Sequence, residues 1–65
     1  MDTEWVVRIV YATLNESGQP ERRTVEQVRD TKLEARRVLN DGLAILRRGG
    51  TRVYETRILR RRTPT

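Results

Sequence analysis

Residues 5–14 read Trp5-Val6-Val7-Arg8-Ile9-Val10-Tyr11-Ala12-Thr13-Leu14, and the fold follows from this run. It is rich in β-branched and aromatic types, which suit a pleated surface. The odd positions Trp5, Val7, Ile9 and Tyr11 make one wholly apolar face. The even positions Val6, Val10, Ala12 and Leu14 are apolar too, interrupted by Arg8. A strand that is apolar on both sides belongs in the middle of its sheet or under cover on both faces.

Residues 15–21 (Asn-Glu-Ser-Gly-Gln-Pro-Glu) are turn chemistry throughout. Gly18 can supply a positive φ and Pro20 cannot donate to a ladder, so a hairpin loop is expected. Asn15-Glu16-Ser17 matches the glycosylation pattern and reads as a polar loop. Residues 22–29 then form a second, more polar strand whose weak alternation suits an edge.

A helix comes next. Thr31 with Glu34 fits a capping box, with Asp30 as a competing cap. Ala35, Val38, Leu39, Gly42, Leu43 and Leu46 form one helical stripe, with Ile45 alongside. Gly42 on that stripe costs roughly 1 kcal/mol relative to Ala. The compensation expected is close approach to a bulky sheet residue, Trp5 or Tyr11. Gly49-Gly50 ends the helix. Residues 51–59 make a third strand, and residues 60–65 are expected to be a flexible basic tail.

These elements predict an α+β fold, a single β-β-α-β domain over residues 1–59. A right-handed crossover from the second strand to the third skips the first. The sheet is then antiparallel in order 2-1-3, with one helix packed on the face of Trp5, Val7, Ile9 and Tyr11. Val6, Arg8, Val10 and Leu14 fall on the open face. An apolar strip there is a candidate interface for a homodimer or an adaptor, unless the stems of long Arg side chains cover it.

The chain has 65 residues, 14 Lys+Arg, 9 Asp+Glu and a net charge of +5, without His, Cys or Phe. Leu, Ile and Val total 16 residues, enough for a small core. Nucleophile–base catalysis of the usual kind needs His beside Ser or Cys, so an enzyme is not expected. Gly49-Gly50 lacks the Lys-Ser/Thr of a phosphate loop. Without His or Cys a zinc site is not expected, and no cofactor is implied. The acidic start, Met1-Asp2-Thr3-Glu4, is unlike a signal peptide, and no apolar run is long enough to cross a bilayer. Lack of Cys fits a cytoplasmic setting.

The charge is unevenly placed. Residues 1–46 carry 7 basic and 8 acidic groups, whereas residues 47–65 carry Arg47, Arg48, Arg52, Arg57, Arg60, Arg61 and Arg62 against Glu55 alone. Arg binds phosphate bidentately and stays charged, so this third of the chain is the expected nucleic-acid contact, with Arg36 and Arg37 as extensions. DNA ranks ahead of RNA, and an acidic protein is the alternative partner. Arg47 and Arg48 also suit a helix C-terminus without any ligand. Tyr54 is a base-stacking candidate, though burial in the sheet ranks ahead of that. A membrane role for the short Arg tail lacks an apolar anchor.

Thr31-Lys32-Leu33-Glu34-Ala35, entering a helix after a polar strand, resembles the helix start of the arm-type DNA-binding domains of phage-like integrases. The resemblance implies a three-stranded sheet that reads DNA. Those domains place all three strands before the helix, whereas here one follows it. An Arg-to-Lys ratio of 13 to 1 has the look of a GC-rich genome, as in a small actinobacterial, phage or plasmid accessory protein.

Overall fold

A computed structural model describes residues 3–62. Its elements are β1 (Thr3–Leu14), β2 (Pro20–Arg29), α1 (Lys32–Arg48) and β3 (Val53–Arg62). The sheet is antiparallel in order β2-β1-β3, and the doubly apolar strand is central, as its pattern requires. β3 extends further than expected. Thr3, Glu4 and Trp5 of β1 pair with Arg62, Arg61 and Arg60, so these three arginines continue the strand instead of opening a tail. Residues 63–65 of the expected tail, with Met1 and Asp2, lie outside the described residues. β2 also begins earlier, at Pro20, a position an edge strand tolerates because no ladder N–H is needed there.

The hairpin loop is built on Asn15. Its side-chain Oδ1 accepts from the backbone N–H of Ser17 at 2.9 Å and of Gln19 at 3.0 Å, an Asx turn that Gly18 completes at φ 77. The helix starts at Thr31, whose Oγ1 accepts from the Glu34 amide at 3.1 Å, so Thr31 is the cap and Asp30 is not. At the other end the Gly50 N–H bonds the Arg47 carbonyl and the Thr51 N–H bonds the Leu46 carbonyl. With Gly50 at φ 70, this pair of bonds is a Schellman ending.

α1 packs on the odd face of β1. Val7, Ile9 and Ala35 form the buried cluster, with Trp5, Tyr11, Val38, Leu39, Leu46, Val53 and Ile58 partly buried around it. Gly42 permits this approach, but toward a different residue from those expected. A Cβ there would lie 3.0 Å from Ile9 Cδ1, because Ile9 sits mid-strand directly beneath the helix, while Trp5 and Tyr11 lie toward its two ends.

Candidate nucleic-acid interface

The two flanks of the helix face different strands. Lys32, Arg36, Leu43 and Arg47 fall four, seven and four residues apart, a single line along one side. Leu43 and Arg47 border a shallow depression whose other wall is β3, residues 53–56. Glu34, Val38, Asp41 and Ile45 form the opposite line, and Val38 and Ile45 border a groove walled by Val25 and Gln27 of β2. Three bases of the helix therefore stand beside β3, while both of its carboxylates stand toward β2.

β3 is an edge strand and adds Arg57, Arg60, Arg61 and Arg62, with Arg52 just before it. The β3 flank thus gathers eight basic groups against two carboxylates, Glu55 of β3 and Glu4 of the adjoining end of β1. Across the sheet, β2 and the rest of the helix hold Arg22, Arg23, Arg29, Arg37 and Arg48 against Glu21, Glu26, Glu34 and Asp41, a near balance. The molecule is electrostatically lopsided in a way the order of residues along the chain does not display.

Neutralisation follows the same division. Arg8 Nε meets Glu26 Oε2 at 2.7 Å and Arg23 lies 3.8 Å from Glu21, both toward β2. On the β3 flank, among the described residues, only Arg61 is held, by Glu4 at 2.8 Å. Among the described residues the other seven bases there have no carboxylate within ion-pairing distance. Arg57 stands opposite Arg8 in the ladder, whose charge Glu26 meets from the other side, so Arg57 itself is left without a carboxylate among the described residues.

The arginines singled out from the sequence are not one cluster. Arg47, Arg48 and Arg52 lie at the end of the molecule where α1 gives way to β3. Arg60, Arg61 and Arg62 lie at the other end, opposite the start of β1, and Arg57 lies between them. From Arg52 to Arg62 they run along the edge for roughly 30 Å at the usual strand rise. Parity divides them further. Arg57 and Arg61 share the open face with Arg8, whereas Arg60 and Arg62 share the helix face with Trp5. Arg36 joins the flank through the helix, as does Lys32. Arg37 and Arg48 lie off that line. Lys32, Arg36 and Arg37 all add charge at the helix start, and the helical line shared with Arg47 separates Lys32 and Arg36 from Arg37.

Tyr54 is neither buried nor free. It is 40% exposed, and the guanidinium carbons of Arg22 and Arg52 lie 4.6 and 5.7 Å from its ring centre. A bulge at this point explains its position: Val10 pairs with Glu55 and Tyr11 with Val53, so Tyr54 is the extra residue. Lys32 stands 5.7 Å from the Trp5 ring centre, at the far end of the same flank.

The open sheet face offers less apolar surface than its pattern suggests. Val6 is only 5% exposed, because Val28 and Leu59 stand on either side of it in the ladder. Arg8 is engaged by Glu26, Val10 is half-buried, and Leu14, 69% exposed, lies at the strand end.

No helix among the described residues is long and apolar enough to cross a membrane, and none of their acidic side chains gather as a metal site would require. The chain matches no family model, no curated protein and no solved structure.

Proposed function

We propose that this chain is a small, non-catalytic nucleic-acid-binding accessory protein that holds a phosphate backbone along its β3 flank. The observation that carries this reading is the excess of eight basic groups over two carboxylates there, seven of the eight without a carboxylate partner among the described residues. Leaving like charges adjacent is unfavourable unless an anion joins them. A phosphate chain supplies such anions at regular intervals, and displacement of its counterions adds affinity without reading sequence. Arg57 sits at the centre of the contact, with Arg52 and Arg47 at one end, Arg60 to Arg62 at the other, and Arg36 approaching from the helix. A cytoplasmic setting accompanies this reading, and DNA is the first nucleic acid to try.

Fluorescent duplex and single strands, titrated at two salt concentrations, test it. If about four phosphates are neutralised on a duplex, log K falls against log salt with a slope of about −3.6. Absence of binding at low salt rejects the reading. A protein-binding role through the open sheet face has less support, since Val6 is already buried and Arg8 already paired.

A further inference from the structure

Among the exposed apolar side chains, Ile45 and Val25 stand together on the helix side of β2. α1 sits over β1 and leaves a groove of about 180 Å³ between itself and β2. Val25 is on its floor, Val38 and Ile45 on its wall, and Ile45 is 68% exposed. Beside the groove runs the free edge of β2. This strand has ten residues, no bulge in its ladder to β1, and its only Pro at the first position. The other edge, β3, is bulged and densely basic, two features that bar strand pairing.

We propose that the β2 edge and this groove form a self-association surface that takes a second copy of the chain in an antiparallel β2–β2 pair centred on Val25. In that register Val25 meets its own copy, Thr24 meets Glu26, and Arg23 meets Gln27. At both ends Glu21, held in its own chain only by Arg23 at 3.8 Å, meets Arg29 of the second copy. No like charges face each other. Centring on Glu26 instead would set Glu26 against itself and Arg23 against Arg29. Centring on Thr24 would bring Pro20 into the ladder and lose a hydrogen bond.

The helices agree with the same centre. Gly42 lies over Ile9, which pairs with Val25, so Gly42 marks the level of the two-fold axis. Ile45 lies about 4.5 Å beyond that level and Val38 about 6 Å before it, from the helical rise. The two-fold axis therefore carries Ile45 of each copy opposite Val38 of the other. The two β1 strands stand three strand spacings apart, about 14 Å. That is wider than a direct helix contact of about 8–10 Å, and the trough between holds Ile45, Val38 and Val25 of both copies. The pair is a six-stranded sheet with both β3 flanks at its outer edges. This inference goes beyond the nucleic-acid reading and does not depend on it.

Sedimentation of the full chain, without nucleic acid, tests it. The expected mass is twice 7.7 kDa. Ile45→Arg, at an exposed position that the folded protomer tolerates, alters both copies at once and raises the dimer dissociation constant about 100-fold or more. Val10→Glu, on the open sheet face, leaves it unchanged. Amide exchange along β2 slows as concentration rises. A wild-type chain that stays monomeric at high concentration overturns the proposal. So does a dimer that Val10→Glu dissociates and Ile45→Arg does not.

Discussion

Replacing Gly42 with Ala sets two effects of similar size against each other. Ala is favoured over Gly within a helix by about 1 kcal/mol. The new Cβ, however, would stand 3.0 Å from Ile9 Cδ1, where carbon atoms prefer about 3.5–4.0 Å. Overfilling a packed core costs about 1–3 kcal/mol. Ile9 borders the open groove, so its terminal carbon can yield, which puts the cost near the lower bound. Gly42→Ala alone is therefore close to neutral. Ile9→Val removes the atom in the way and by itself costs about 0.5–1.5 kcal/mol. Against that background Gly42→Ala regains its full advantage, so the two substitutions couple by about 1 kcal/mol, equivalent to about 4–8 °C in Tm for a domain of this size. The four proteins of the cycle are compared by urea and thermal unfolding, followed by far-UV circular dichroism at one fixed concentration because self-association would shift the transition. If Gly42→Ala has the same effect in both backgrounds, Ile9 is not what the glycine accommodates, and the packing account of that position fails.

Thr31→Ala removes the hydroxyl that accepts from the Glu34 amide and lowers stability by about 1 kcal/mol, measurable by urea denaturation. Ala35 is fully buried against β1, and Ala35→Leu destabilises by about 1–3 kcal/mol; an unchanged midpoint would mean that the helix stands further off the sheet. In duplex titrations Arg57→Gln makes the salt slope shallower by about 0.9, the share of one phosphate. Arg23→Gln, on the β2 side, leaves the slope unchanged, and equal effects from the two would contradict the division between flanks.

The residue pattern was sufficient for the scaffold and for the excess of positive charge toward the C-terminus. Two-sided apolarity in residues 5–14 placed β1 in the centre, and the handedness of the crossover completed the order β2-β1-β3. Thr31 and Gly49-Gly50 bounded the helix within a residue or so. Strand length was less legible. Arg60, Arg61 and Arg62 carry no strand signal of their own and are drawn into β3 by pairing with Thr3, Glu4 and Trp5. The excess of Arg near the C-terminus was plain, but its arrangement was not, since a strand of ten residues spreads its side chains over two faces and about 30 Å.

Local rules thus determined which residues form strands and helix, where the helix begins and ends, and that positive charge is in excess. These features depend on neighbours a few positions apart, whose spacing the chain itself sets. The lateral seat of the helix was decided only by tertiary packing, through the fit of Gly42 over Ile9 and of Ala35 against β1. That seat turns Lys32, Arg36 and Arg47 toward β3, turns Glu34 and Asp41 toward β2, and leaves Ile45 and Val25 uncovered beside a free strand edge. Which helix flank meets which strand depends on contacts between residues distant in sequence, and no spacing along the chain encodes it.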